Sequence, residues 1–182
     1  MMQELSLNVL DIVQNSISAK ATLIEVGVCS ETEKSLLTIT VADNGCGMTP
    51  EQVQNVTDPF YTSRKTRRVG LGVPFFKMAA EMTGGGFEIV SQPGSGTKLC
   101  ATFRTDSIDC MPLGDINETV YTLVTLNEQI DFVYTRRIDE RMFTLDTREL
   151  RAILGDIPFS EPEVAAFIRE YIASNAPAET EA

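Results

Sequence analysis

Polar side chains recur along one line of an otherwise apolar opening segment. In QELSLNVLDIVQNSISA, residues 3–19, Glu4, Asn8, Asp11 and Asn15 follow one another at intervals of four, three and four. At about 100° per residue they fall within an arc of roughly 60°. Leu5, Val9, Leu10, Ile12, Val13 and Ile17 spread over much of the remaining circumference. The spacing predicts a largely buried helix with a narrow polar seam. In an interior, groups left without partners cost about 1–3 kcal/mol each. The seam therefore either faces solvent or meets something polar.

The period then shortens. TLIEVGV (22–28) and LLTITVAD (36–43) read as strands joined by the polar SETEKS (30–35), a hairpin signal. Leu37, Ile39 and Val41 alternate with Thr38, Thr40 and Ala42, so one face should pack on the helix. Thr49 followed by Pro50 marks a helix start, a hydroxyl cap before a proline at the first helical position. TDPFYTSRKTRRVG (57–70) is aperiodic and carries Arg64, Lys65, Arg67 and Arg68, which predicts a loop. VPFFKMAAEMTGG (73–85) reads as a helix closed by glycine. FEIVSQ (87–92) and TKLCATF (97–103) form a second hairpin around PGSG (93–96).

Past residue 104 the character changes. ETVYTLVTLN (118–127) reads as a helix, and IDFVYTRRIDERMFTLD (130–146) as a hairpin turning near Asp139 and Glu140. DTRELRAIL (146–154) and SEPEVAAFIREYIAS (160–174) read as helices, the second capped by Ser160. The expected division is a domain over 1–104, a small α+β module over 105–174 and a disordered acidic tail over 175–182.

Composition narrows the classes. The 182 residues are 43% hydrophobic and 23% charged, a soluble globular balance with a net charge of −11. That charge argues against a nucleic-acid surface, which needs a basic patch. No apolar run approaches the roughly 20 residues of a membrane span, and no signal-peptide pattern opens the chain. The four cysteines form no C-x-x-C pair, which fits free thiols in a reducing cytoplasm. Histidine is absent altogether, which removes every histidine-based triad, metal site and phosphoacceptor from these residues.

The chemistry concentrates in VADNGCGM (41–48), where Asp43 precedes Gly45 and Gly47. Glycines so spaced let backbone come close to a ligand, yet a carboxylate would repel a polyphosphate. Asp43 should therefore face a hydrogen-bond donor. The alternative is an ordinary turn, for which D-N-G is common chemistry.

Four elements stand in order: the seam helix ending in Asn15-Ser16, the DNGCGM loop, a basic loop running into VGLGV, and a GSGT turn opening a strand. This order resembles the ATPase superfamily of gyrase B subunits, Hsp90-type chaperones, sensor histidine kinases and MutL-type repair proteins. DIVQNSISAKATLIEV and LLTITVADNGCGM look most like the MutL branch. TDPFYTSRKTRRVGLGV through GGGFEIVSQPGSGTKLCATF looks more like histidine kinases and their anti-sigma relatives. The resemblance covers residues 4 to 104.

It implies a two-layer α/β sandwich of the histidine-kinase/Hsp90 type, here with a small α+β C-terminal appendage. It also implies ATP and Mg²⁺ as ligands. Asp43 would accept from the adenine amino group, with Gly45, Gly47 and Met48 close to the nucleotide and Thr97 supporting the base edge. Asn15 would hold Mg²⁺ through its side-chain oxygen. Asp11 stands where hydrolysing members carry a glutamate, placed to orient or deprotonate a nucleophile. The lid counterpart would bring Lys65, Arg68, Gly70, Leu71, Gly72 and Val73 to the phosphates, with Arg64, Arg67 and Lys20 as further contacts. Glu4 and Asn8 continue the seam, and Cys46 reads as a small space-filling residue.

Sensor histidine kinases place a dimerising hairpin bearing the phosphoaccepting histidine before this domain, and the seam helix begins almost at Met1. The expectation is a cytoplasmic Mg²⁺-dependent ATP-binding protein that hydrolyses ATP or transfers phosphate to a partner in trans. The other class is a non-catalytic ATP-binding regulator. The chain as a whole resembles stand-alone bacterial ATP-binding proteins found near iron-hydrogenase genes, which implies a redox-complex partner. The C-terminal module would supply partner or homodimer contacts.

Overall fold

The computed structural model describes residues 4–61 and 71–179. Helix α1 spans Leu5–Ser18 and buries Leu5, Val9, Ile12 and Val13, one continuous apolar stripe. Strands β1 (Leu23–Glu31) and β2 (Leu36–Asp43) form the expected antiparallel hairpin, joined by a short 3-10 turn over Thr32–Lys34. Helix α2 (Pro50–Val56) starts on a capping box. The Thr49 hydroxyl accepts from the Gln52 N–H at 3.2 Å, and the Gln52 side chain accepts from the Thr49 N–H at 2.8 Å. Helix α3 (Gly72–Met82) leads into β3 (Gly86–Gln92) and β4 (Gly96–Arg104). Then follow α4 (Ile116–Leu126), β5 (Asp131–Ile138), β6 (Arg141–Asp146), α5 (Thr147–Leu154) and α6 (Pro162–Asn175).

The six strands form one sheet in the order β3-β4-β2-β1-β5-β6. Neighbours are antiparallel except β1 and β5, which run parallel from Leu23 opposite Asp131 to Ser30 opposite Ile138. That parallel pairing needs a crossover, and α4 supplies it. Alternate residues of β1, β2, β4 and β5 are buried, while their neighbours remain half-exposed. Apolar side chains of α1, α3, α4 and α6 join the buried strand residues in one cluster. The architecture is a two-layer α/β sandwich, as the fold-class reading expects.

The segment after residue 104 is built into that sandwich. β5 extends the sheet beside β1, and α4 packs on α1. Pro112 and Leu113 accept the first N–H groups of α1, from Leu5 at 3.0 Å and Ser6 at 2.8 Å. The start of the seam helix is therefore capped by the C-terminal half, since a helix leaves its first four N–H groups without internal partners.

One local reading is corrected. Ser160 is not the cap of α6: Glu161 holds that position, and the Ser160 N–H donates to Glu128 at 2.7 Å. Part of the expected tail, residues 175–179, lies within the described residues. Ala176 is 8% exposed within the core cluster, and Glu179 accepts from Arg136 at 3.2 Å. A buried guanidinium requires acceptors, and composition alone does not reveal that demand.

Candidate functional site

A cavity enclosing about 570 Å³, including its open mouth, lies between α1, the loop after β2, α3 and strands β3 and β4. Six of the residues assigned from sequence to the nucleotide or its metal line it: Asn15, Asp43, Gly47, Met48, Val73 and Thr97. Ile12, Val41, Ile89 and Leu99 supply apolar walls. A slot of this size with mostly apolar walls and few polar groups suits a flat organic ligand.

Asp43 ends β2 at this cavity. Its Oδ2 accepts from the Ser16 hydroxyl at 2.6 Å, and its Oδ1 accepts from the Gly45 N–H at 2.9 Å. An ionised carboxylate offers about four acceptor positions, so the two remaining ones suit a donor in the cavity. The adjoining Asn44 fastens the loop to β1. Its Oδ1 accepts from the N–H groups of Thr22 and Leu23 at 2.8 and 3.0 Å, and its Nδ2 donates to the Thr22 hydroxyl at 2.9 Å.

Thr97 lies opposite Asp43 on β4 and opposite Ser91 on β3. The Ser91 hydroxyl accepts from the Met48 N–H at 2.8 Å, donates to the Gly96 carbonyl at 2.9 Å and lies 2.8 Å from the Thr97 hydroxyl. A hydroxyl has one proton and two lone pairs. One assignment satisfies all three contacts: Thr97 donates to Ser91. The Thr97 oxygen then keeps acceptor capacity beside the Asp43 carboxylate.

The glycines of the loop answer to protein neighbours. Gly47 has φ +66°, and a Cβ there would lie 1.9 Å from the Gln92 carbonyl oxygen. At Gly45 a Cβ would come within 2.8 Å of the Ala19 carbonyl oxygen. Both let the loop seat between the end of α1 and the β3–β4 turn, an alternative to close approach by a ligand. Cys46 is exposed on the cavity wall and so is not packed as a space-filling residue; its N–H donates to the Ala19 carbonyl and its carbonyl accepts from the Gly94 N–H.

The polar seam divides. Asn15 is exposed on the cavity wall. Asp11, one turn earlier, does not line the cavity; it lies against the start of α3, where a Cβ on Gly72 would be 3.3 Å from its Oδ2. A carboxylate there complements the positive end of α3, whose first turn contains no acidic residue of its own. Asn8 is 1% exposed, and its Oδ1 has no hydrogen-bond partner among the described residues. Glu4 accepts from Ser6 and packs beside Gly114. Gly45, Leu71 and Gly72 are placed next to the cavity's elements without lining it. Lys65, Arg68 and Gly70, with Arg64 and Arg67, lie outside the described residues.

Ser16 and Ser91 are the residues that sequence reasoning missed. Ser16 had a signal: it continues the stripe of Val9, Ile12 and Val13, and a hydroxyl on a buried stripe needs a partner. Ser91 had none, because its importance depends on which strand lies beside it.

The family described as histidine kinase-, DNA gyrase B-, and HSP90-like ATPase matches residues 1–107. The chain belongs to this ATPase family. Curated relatives within it include the CAI-1 autoinducer sensor kinase/phosphatase CqsS of Vibrio cholerae, 39% identical over 70 residues, 38% of this chain and 10% of that protein. The sensor protein kinase FleS of Pseudomonas aeruginosa is 36% identical over 110 residues, 60% of this chain and 27% of that protein. The chain thus spans only a small part of these relatives' length. Among solved structures, the MutL ATPase domain of Aquifex aeolicus complexed with ADP matches with TM-score 0.51 at 18% identity, covering 80% of this chain and 64% of that one. The N-terminal domain of a DNA repair protein matches with TM-score 0.54 at 15% identity, covering 80% and 52%. The sequence likeness is to sensor kinases, and the fold is shared with the MutL ATPase domain. No described helix is long and apolar enough to cross a membrane.

Proposed function

We propose that this ATPase-family chain binds Mg²⁺·ATP in the cavity between α1, β2 and β4, and that it hydrolyses the nucleotide or passes its phosphate to a protein partner in trans. The observation that carries the reading is the meeting of Asn15 and Asp43 in the lining of one cavity, from segments 28 residues apart. Asp43, held by Ser16 and Gly45, accepts from the exocyclic amine of adenine and disfavours guanine, which presents an acceptor on the corresponding edge. The Thr97 oxygen accepts from a water on the same edge.

The donor set suits magnesium in one way only. No group of three or more acidic, cysteine or histidine residues among the described residues holds a metal by itself. Asn15 offers one neutral oxygen, and magnesium takes its other ligands from phosphate and water. The bound ion would neutralise phosphate charge in the reaction. Asp11 acts from the neighbouring turn of α1 to orient a nucleophile, and the basic residues Lys65 and Arg68 approach the phosphates. With no histidine in the 182 residues, the phosphoacceptor is a different side chain, water or another chain. A cytoplasmic location follows from substrate and thiol chemistry.

Calorimetry with Mg²⁺·ATP and steady-state phosphate release test this. ATP binds, GTP binds at least tenfold more weakly, and Asp43→Ala abolishes binding. Asp11→Asn keeps binding and reduces turnover about 100-fold, within the usual range for an acid–base group. Binding without turnover in the unaltered chain would assign it to nucleotide-gated regulation instead. No heat with ATP would end the reading.

A further inference from the structure

Two hydroxyls meet behind the cavity, and backbone decides which of them gives up its proton. Ser91 sits half-buried on β3 and does not itself line the cavity. The Met48 N–H, at 2.8 Å, can only donate to its hydroxyl, and the Gly96 carbonyl, at 2.9 Å, can only accept from it. The single Ser91 proton is therefore committed to Gly96, and one lone pair to Met48. The other lone pair faces the Thr97 hydroxyl at 2.8 Å, so Thr97 must be the donor of that pair.

Both backbone groups sit in tightly packed chain. Gly96 is buried with φ +96°, and a Cβ there would stand 1.9 Å from the Asp43 carbonyl oxygen. Gly47, next to Met48, approaches the Gln92 carbonyl as closely. Ser91 thus meets a fixed polarity on two sides and passes it on to Thr97.

With its proton turned toward Ser91, Thr97 offers the cavity lone pairs only. Asp43, opposite Thr97 in the β2–β4 ladder, is an acceptor too, with one position on each oxygen filled by Ser16 and Gly45. Among the described residues, Thr97 makes no other side-chain hydrogen bond. An untethered threonine hydroxyl would behave differently, because it rotates to suit its neighbours and can donate to a carboxylate or to an oxo group.

We propose that Ser91 is a positioning residue for base selection. By holding the Thr97 proton away from the cavity, it keeps this end of the site acceptor-only, matched to a purine with an amine and mismatched to one with an oxo group at the same carbon. The inference rests on the nucleotide reading above, and in it Ser91 touches no ligand but acts through Thr97. Loss of the Ser91 oxygen frees the Thr97 proton to turn toward Asp43 or toward the base. The first weakens the acceptor that an amine needs, and the second gives an oxo group a donor.

The test is calorimetric titration of the full chain with Mg²⁺·ATP and with Mg²⁺·ITP, whose base carries an oxo group in place of the amine. Ser91→Ala should lower the preference for ATP over ITP about fivefold, the size of one neutral hydrogen bond, with ITP binding held or improved. Ser91→Thr keeps a hydroxyl and should keep the wild-type preference. Thr97→Val removes the group through which Ser91 acts, so adding Ser91→Ala to it should leave the preference unmoved. If Ser91→Ala does not fold, Ser91→Cys, whose thiol is a weak acceptor, takes its place with the same expected direction. A role confined to holding the Met48 loop predicts equal losses for both nucleotides, with or without the Thr97 hydroxyl. That pattern, or an unchanged preference in Ser91→Ala, would overturn the proposal and leave the nucleotide reading standing. No ATP binding by the unaltered chain would remove both.

Discussion

Ser16→Ala probes the hinge of the nucleotide reading, because the Ser16 hydroxyl is what holds Oδ2 of Asp43. The residue is 4% exposed, so the alanine methyl stays buried and no new surface is created. A hydrogen bond to a charged acceptor contributes about 1.5–3 kcal/mol. Asp43 is half-buried and borders an open cavity, so water replaces part of the lost donor. The remaining cost is about 1 kcal/mol, which for a chain of this length lowers Tm by about 2–4 °C. Binding suffers for a second reason. With only the Gly45 N–H left on Oδ1, the carboxylate turns more freely and loses part of its aim at the purine edge. A further loss of about 1 kcal/mol corresponds to roughly fivefold in affinity. Calorimetric titration with ATP and GTP, alongside thermal unfolding of the free protein, separates the two effects. The expected result is weaker ATP binding with a reduced preference over GTP. If Ser16→Ala binds ATP as the wild type does, or loses ATP and GTP affinity equally, Ser16 does not set the aim of Asp43.

Two further outcomes follow from the same structure. Asn8→Leu removes a buried acceptor that has no partner among the described residues; relief of that penalty, about 1–2 kcal/mol, should raise Tm by a few degrees, and a fall would mean that Asn8 meets another partner. Acid sensitivity should begin only below the neutral range. Asp146 is held below the usual carboxylate range first by its bond to Arg148, and Asp139 first by the Thr32 N–H. A depressed folded value stabilises above the unfolded value near 4 and is lost as pH falls through the folded one. With no histidine in the chain, Tm should stay flat from about pH 7 to 5 and drop below about pH 4. Asp146→Asn should make that drop shallower, and a transition near pH 6 would contradict the reasoning.

Much of the fold was legible in short-range periodicity. Both hairpins of the first hundred residues, the helix start at Thr49 and Pro50, the α1 seam and the turn at Asp139 and Glu140 all rest on neighbours within a few positions. The cavity was legible in part. Asn15, Asp43 and Thr97 stand in motifs whose order resembles a known family, and all three line the same cavity. Asp11 shares the α1 seam with Asn15, yet it lies against Gly72, because helix periodicity fixes a side chain's direction and not what packs there.

Local patterning fixes which segments become helices and strands, and which face of each is apolar, because those properties arise between residues two to four apart. Long-range packing sets β5 beside β1, brings Ser16 to Asp43 across 27 residues, and seats Glu179 against a buried arginine. Those pairings depend on the closure of long loops around one shared core. Closure is governed by the fit of all the layers at once, and no local stretch of chain encodes it.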